Sequence, residues 1–183
     1  MSGLHAAEID CLLRRTLRSD VTPYMGSLVR WLGVFARDEL PDVNKERRPF
    51  ALVLNTDPRS QPGQHWLALF SPKEGPIEIF DSFGLPPSSY GLANLLPTYS
   101  LIQLQSFFSA LCGHYCIFFL NQRSNSHGLI NHNSFYQIID SLKNTHIPDN
   151  FVKKYVETLQ RTYRIIKPCN RNDQCSKLKC SFC

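Results

Sequence analysis

Four side chains in the middle of this sequence are of the types that hydrolysis by a thiol requires. Cys112 supplies the thiol, His65 an imidazole, Asp81 a carboxylate and Gln105 a neutral amide. A thiol attacks as its thiolate, which an adjacent imidazole or a helix N-terminus stabilises. A carboxylate fixes the tautomer of the imidazole, and an amide N–H suits a developing oxyanion. The set therefore predicts a thiol hydrolase if the fold brings these groups together.

Two short apolar runs decide whether the imidazole and the carboxylate can meet. His65 opens the run "HWLALF" at 65–70, and Asp81 closes the run "PIEIFD" at 76–81. Residues that border each run are turn formers, so both runs predict strands joined by a hairpin. An antiparallel hairpin would place His65 and Asp81 side by side at one sheet edge, with one imidazole nitrogen left to face the thiol.

The nucleophile has competing interpretations. Cys112 stands where a helical, apolar run begins, and Gly113 after it would let a substrate backbone approach. A lone cysteine is commonly just a buried residue, and that is the preferred interpretation of Cys116 one turn further on. Pairing Cys112 with His132 and Asn133 would give a papain-like order, although "INHNSF" is typical of a loop that starts a helix.

His114 lies two residues from Cys112, and positions two apart on a helix do not face each other. We expect it to line the wall of the site or to be a core histidine. Trp66 next to His65 is a candidate wall of the substrate site, although an aromatic residue in a strand is more often plain core.

The remaining elements predict an α+β domain with a central mixed or antiparallel β-sheet flanked by helices, and with the nucleophile at the N-terminus of a buried helix. Strands are predicted in "FALVLN" and "YSLIQLQS" besides the hairpin, and the periodicity of "SLVRWLGVFARDELP" favours neither helix nor strand. Helices are predicted at 4–17, from Ala110, and in "NHNSFYQIIDSLKN" and "DNFVKKYVETLQRTYRIIK".

Charge divides the chain into a domain at 1–165 and a tail at 166–183. The net charge is +5, yet up to Gln160 there are 14 basic and 14 acidic residues, so the whole excess lies from Arg161 onward. A chain of 183 residues suits one domain. The sequence has no run of apolar residues long enough to span a membrane and no signal-peptide pattern, so we expect a protein of a reducing compartment with thiols in the body.

The tail "KPCNRNDQCSKLKCSFC" carries the four cysteines Cys169, Cys175, Cys180 and Cys183. Only the last two form a CxxC pair, whereas a four-cysteine zinc site normally has two such pairs. A solvated tail without metal is the preferred interpretation. We expect no metal or cofactor to be required for the chemistry.

The sequence resembles the adenovirus-type cysteine proteases, including those of adenovirus-like viruses and of Maverick or Polinton transposons. The resemblance lies in "VLNTDPRSQPGQHW", "IFDSFG" and "QSFFSALCGHYCIFFL", within about residues 4 to 145. The seven-residue step from Gln105 to Cys112 matches these enzymes, whereas SUMO-specific proteases of the same clan usually have a shorter step. Asp81 follows the SUMO-protease habit, since the adenovirus enzymes typically use glutamate there.

The resemblance implies roles for the candidate residues: Cys112 as nucleophile, His65 as general base, Asp81 as the orienting carboxylate, and Gln105 with the Cys112 amide as oxyanion hole. It implies a cysteine endopeptidase, a monomer, that cleaves capsid or core precursors during particle maturation in the host nucleus or cytoplasm and in the virion. Alternatives are a SUMO or ubiquitin-like isopeptidase and an inactive nucleic-acid-binding or protein-binding relative.

The family also implies a hypothesis for the tail. Adenovirus enzymes are stimulated by DNA and by a short basic peptide that ends near a cysteine and a phenylalanine, and "SKLKCSFC" is similar in composition. We therefore expect activation by DNA, or by this tail acting as a built-in activating strap or DNA-contacting arm.

Overall fold

A computed structural model describes residues 3–17, 29–124 and 134–166 of the chain, with side chains described as far as residue 163. One four-stranded sheet lies at its centre, in the order β1-β2-β3-β4. The strands are β1 (Arg30–Phe35), β2 (Phe50–Asn55), β3 (Trp66–Ser71) and β4 (Glu78–Phe80). The helices are α1 (Ala6–Leu17), α2 (Cys112–Ser124), α3 (Phe135–Lys143) and α4 (Pro148–Ile166). The predicted α+β class with a central mixed sheet flanked by helices is confirmed.

The sheet combines both strand directions. β1 pairs with β2 in parallel, while β2 with β3 and β3 with β4 are antiparallel. The pairing of Ala68 with Phe80 sets the register of the β3–β4 hairpin, so that the residues just before β3 and just after β4 come to the same edge. The hairpin that the sequence predicts is therefore present, with β4 shorter than expected.

Alternation along β2 explains why both faces of the sheet are buried. Ala51 and Val53 point into one hydrophobic cluster, and Phe50, Leu52 and Leu54 point into the other. A strand that is buried on both faces has a nearly continuous apolar sequence, as "FALVLN" has. The sheet is thus the middle layer of the fold.

The four helices cover one face of the sheet. They share the larger hydrophobic cluster with β2, β3 and β4, and α2 contributes residues from several of its sides, including Tyr115, Cys116, Phe118 and Phe119. A helix that is apolar all round is buried, as α2 is. The opposite face is covered by loops and short 3₁₀ helices at Arg37–Glu39, Pro87–Tyr90 and Ala93–Leu95.

One predicted strand is wrong, and one strand was not predicted. "YSLIQLQS" is irregular, because β4 is only three residues long and ends at Phe80, so its free edge is too short to pair with this segment. The one bridge to β4 nearby joins Thr98 to Glu78. β1 arises from the segment of ambiguous periodicity, and a register shift between Trp31 and Gly33 interrupts its pairing with β2. Such irregularity weakens the period-two pattern by which a strand is found in a sequence.

A buried ion pair joins the sheet to the end of α2. Arg123 donates two hydrogen bonds of 2.7 Å to the carboxylate of Glu78, and both side chains are about nine-tenths buried. The guanidinium also lies 4.6 Å from the centre of the Phe70 ring.

Within the described ranges, no helix is both long and apolar enough to cross a membrane.

Candidate active site

His65 and Asp81 meet at the edge of the β3–β4 hairpin. His65 lies immediately before β3, and Asp81 lies immediately after β4. The imidazole Nε2 is 2.7 Å from the Oδ1 atom of Asp81, and both residues are buried. The predicted neighbourhood of the two side chains is confirmed.

Asp81 is held from several directions. Its Oδ1 also accepts the backbone N–H of Phe83 at 2.8 Å, and its Oδ2 accepts the backbone N–H of Leu85 at 3.0 Å and the hydroxyl of Tyr90 at 2.8 Å. Because each oxygen has two donors, the carboxylate cannot rotate without losing hydrogen bonds. Oδ1 is therefore fixed on the imidazole and determines the orientation of the ring.

The paired groups favour their charged forms. Burial lowers the pKa of His65, but its hydrogen bond and charge interaction with Asp81, together with its interaction with Cys112, outweigh burial and raise the pKa to about 9. Burial raises the pKa of Asp81, but the hydrogen bond and charge of His65, with the donors at Phe83 and Tyr90, bring it below its usual value. At neutral pH the pair is therefore an imidazolium and a carboxylate.

Cys112 is the first residue of α2, as the sequence predicts, and only 8% of it is exposed. Since Nε2 of His65 is bonded to Asp81, Nδ1 is the nitrogen left for the thiol, and Nδ1 is buried without a hydrogen-bond partner among the described residues. The thiol interacts with the imidazole strongly enough to contribute to its raised pKa. The first N–H groups of a helix lack intrahelical partners, which leaves the Cys112 amide available to an oxyanion.

Cys116 has a different environment. It is fully buried, its Sγ donates to the Trp66 carbonyl oxygen at 3.4 Å, and burial, with electrostatic interactions with Cys112 and Asp81, raises the pKa of its thiol. The interpretation of Cys116 as a core residue fits these contacts.

Three of the hydrogen bonds made by Gln105 hold its side-chain amide and its backbone N–H. Its Oε1 accepts the Ser82 hydroxyl at 2.7 Å, its Nε2 donates to the Ser109 carbonyl oxygen at 2.7 Å, and its backbone N–H donates to the Ser82 carbonyl oxygen at 3.0 Å. Ser109 offers a carbonyl acceptor, so the amide nitrogen must face it and the orientation of the amide is determined. An amide nitrogen has two hydrogens, and the second remains for a developing oxyanion.

Trp66 and Gly113 are both turned toward the segment that begins α1. The indole N–H of Trp66 donates to the Leu4 carbonyl oxygen at 3.2 Å. A Cβ on Gly113 would lie 3.0 Å from Ile9 and 3.3 Å from Leu4. The missing side chain of Gly113 therefore permits the close packing of α1 on α2, and nothing in its placement favours the predicted approach of a substrate.

His114 is a buried core histidine. Burial lowers the pKa of its imidazole, against the charges of Glu157 on α4 and Glu8 on α1.

The alternative pairing through His132 and Asn133 lies outside the described residues. So do the cysteines of the tail at 166–183, and in the described ranges no cluster of three or more His, Cys, Asp or Glu side chains could hold a metal ion.

The sequence reasoning missed the residues that orient the candidate groups. Phe83 stacks on the His65 ring with centroids 4.6 Å apart, and Tyr90 and Ser82 hold Asp81 and Gln105 as described. Ser82 and Phe83 directly follow Asp81, so their proximity to the site could have been anticipated. Nothing in the sequence marks Tyr90.

A second set of contacts joins α2 to the loop that carries Gln105. The Tyr115 hydroxyl lies 3.0 Å from the Leu104 carbonyl oxygen and 2.8 Å from the Asp149 carboxylate, and Asp149 also accepts the Ser106 backbone N–H at 3.4 Å. These bonds fix the loop on both sides of Gln105 relative to the helix that begins at Cys112.

Comparison with known proteins adds little to this geometry. Neither a protein-family model nor a curated protein matches the sequence. Among solved structures, the chain is similar to the central domain of an uncharacterized protein, Lpg1148, from Legionella pneumophila. The identity is 16%, the TM-score is 0.47, and the match covers 91% of this chain and 100% of that domain. A similarity of this size carries no argument about function.

Proposed function

We propose that this chain is a cysteine endopeptidase of the adenovirus type, with Cys112, His65 and Asp81 as its triad. The observation that carries the proposal is the buried His65–Asp81 hydrogen bond of 2.7 Å, whose imidazole also interacts with Cys112 at a helix N-terminus. An imidazolium next to a thiol stabilises the thiolate, which is the attacking species.

The chemistry would proceed in two stages. The Cys112 thiolate attacks the scissile carbonyl carbon, and the oxyanion that forms accepts hydrogen bonds from the Gln105 side chain and the Cys112 backbone N–H. His65 gives its proton to the leaving amine as the C–N bond breaks, leaving a thioester. His65 then takes a proton from water, whose oxygen attacks the thioester, and the acid product leaves as the thiolate returns.

Thiol labelling tests the first element of this proposal within one molecule. We expect iodoacetamide at pH 6 to modify Cys112 far faster than Cys116, because Cys116 is fully buried and has a raised pKa. Peptide mass mapping gives both rates in the same sample. Equal reactivity of the two thiols would reject the enzyme and leave the inactive relative.

Substrate class separates the remaining alternatives. Adenovirus-type proteases prefer small residues, particularly glycine, at the cleavage point. We therefore expect wild-type protein, and not Cys112→Ala, to cleave glycine-bearing peptides that copy cleavage regions of capsid or core precursors from a virus or viral-like transposon. Release of SUMO or ubiquitin from conjugates, without cleavage of those peptides, would instead favour the isopeptidase. The substrates would be met in the host nucleus or cytoplasm and in the virion.

The basic tail is proposed to act with DNA. We expect deletion of 168–183 to reduce the stimulation of peptide hydrolysis by DNA, because the deleted residues include Arg171, Lys177 and Lys179 against one acidic residue, Asp173. Binding through phosphates weakens steeply as salt rises, so the stimulation should fall in the same way. Identical rates for the full and shortened chains, with and without DNA, would remove the tail from the proposal.

A further inference from the structure

A long segment between the candidate carboxylate and the candidate nucleophile carries no charge. From residue 82 to residue 113 there are 32 residues without a single Asp, Glu, Lys, Arg or His, although 19% of the chain is charged. The segment includes Gln105 and ends with Cys112 and Gly113. The surface it contributes to the candidate site is therefore electrically neutral.

Most of the large apolar side chains that are exposed to solvent belong to the same segment. Among the described residues nine such side chains are exposed, and six of them belong to it: Leu85, Leu96, Tyr99, Leu101, Phe107 and Phe108. Single exposed apolar residues are ordinary on a protein surface, whereas a concentration of them marks a binding surface.

Two of these rings lie on a turn between Gln105 and Cys112. Phe107 is 71% exposed and Phe108 is fully exposed. The turn is closed by the Ser109 backbone N–H, which donates to the Ser106 carbonyl oxygen at 3.1 Å, and is tied to the Gln105 amide through the Ser109 carbonyl oxygen at 2.7 Å. These bonds fix the turn next to the Gln105 amide, and the two rings on the turn are exposed to solvent.

Ring stacking connects this turn to the imidazole. Phe107 stacks on Phe83 with centroids 5.7 Å apart, and Phe83 stacks on His65 with centroids 4.6 Å apart. We refer to Phe83, Phe107 and Phe108 as the aromatic shelf. It extends from the face of the imidazole into solvent without interruption by a charged group.

We propose that the aromatic shelf binds a large apolar side chain of the polypeptide substrate close to the scissile bond. The inference rests on the proposed function and specifies its substrate class. Continuity with His65 favours a substrate over a partner bound elsewhere, because a side chain on the shelf belongs to the chain whose carbonyl meets Cys112. Neutrality of the segment disfavours charged side chains, which would lose hydration there without gaining an ion pair.

The test is a set of peptides built on one sequence that wild-type protein cleaves, differing only at the positions that flank the scissile bond, with Phe, Leu, Ala, Lys or Glu at each of these positions. The expected result for wild-type protein is a kcat/KM for Phe or Leu at one flanking position at least about tenfold above that for Lys or Glu. Phe107→Ser with Phe108→Ser should abolish this preference. Phe108→Ser alone should reduce the preference. Because the Phe108 ring is fully exposed, its removal should not unfold the protein, and unfolding would not account for the loss.

Tyr136→Ser is the matched control, since it removes a 58% exposed ring from α3, outside the shelf. It should keep the wild-type preference. Preference retained in both shelf variants, or absent from wild-type protein, would overturn the proposal. So would a change in molecular mass by light scattering without a change in preference, which would assign the shelf to contact between copies.

Iodoacetamide labelling of Cys112 distinguishes failure of the shelf proposal from failure of the protease proposal. A reactive Cys112 in a protein whose cleavage ignores the flanking residues leaves the protease proposal intact and rejects the shelf. An unreactive Cys112 rejects the protease, and the shelf as a substrate site with it.

Discussion

Replacing Asp81 by asparagine should remove a pH-dependent part of the stability of this protein. The pKa of His65 is raised from 6.5 to about 9, with burial opposed by Asp81 and Cys112. A shift of this size corresponds to about 3 kcal/mol of preference for the protonated imidazole in the folded state. Asparagine keeps the shape of the side chain but has no negative charge to favour that proton.

The sign of the effect follows from proton binding. The folded protein holds the His65 proton more tightly than the unfolded chain, so this stabilisation is fully present below pH 6.5. It is lost as the pH rises from 6.5 through about 9. Asp81 stays ionised throughout this window because its pKa is lowered.

Urea unfolding between pH 6 and pH 9.5, under reducing conditions, measures the effect. The free energy of unfolding of wild-type protein should fall across the window by about 3 kcal/mol more than that of Asp81→Asn. Other titrating groups are common to both proteins, so the difference isolates the pair. NMR titration of the His65 ring in Cys112→Ala should give a pKa below the wild-type value, because the thiol contributes to the shift. Parallel stability curves for wild type and Asp81→Asn would refute the reasoning.

Three further substitutions test how the site is held. Ser82→Ala should lower kcat about fivefold with little change in KM, because the Gln105 amide loses one of the bonds that orient it; an unchanged kcat would exclude this positioning role. Glu78→Gln should lower the free energy of unfolding, measured in urea, by about 3 kcal/mol, since it removes the negative charge of Glu78 from a buried ion pair. Gly84→Ala should cost more stability, by thermal unfolding, than Gly91→Ala: both have φ near +70°, but only at Gly84 would the new Cβ lie 2.6 Å from backbone. Equal losses for the two glycines would show that this close approach is unimportant.

Local sequence patterns predicted the part of the candidate site that depends on a single hairpin and a single helix start. The runs at 65–70 and 76–81 border turns, and an antiparallel hairpin has a register that brings their outer ends together. His65 and Asp81 therefore meet for reasons visible within 17 residues of sequence. The position of Cys112 at a helix start was visible in the same way, from the change of periodicity before α2.

Long-range contacts decided the rest. Gln105 owes its orientation to Ser82, which is 23 residues away, and no periodicity reports such a bond. β1 was missed because its register shift disturbs the alternation of its side chains. "YSLIQLQS" was wrongly predicted as a strand because β-branched and apolar content does not reveal whether a neighbouring strand edge is free to pair. Gly113 was assigned to substrate from its type alone, while its placement depends on α1, nearly the whole domain away in sequence.

The four residues "DSFG" at 81–84 connect the parts of the candidate site that arrive from different elements. Asp81 holds the imidazole, Ser82 holds the amide of Gln105, and Phe83 stacks between the imidazole and the aromatic shelf. Gly84 has a φ of 69°, and its lack of a side chain lets the backbone at 102–103 pass within contact distance. Because successive residues of one turn hold the candidate base, the candidate oxyanion donor and the shelf, a shift of this turn would misplace all three together. The site should therefore be lost as a unit, and single substitutions within the turn should show strongly non-additive effects on catalysis.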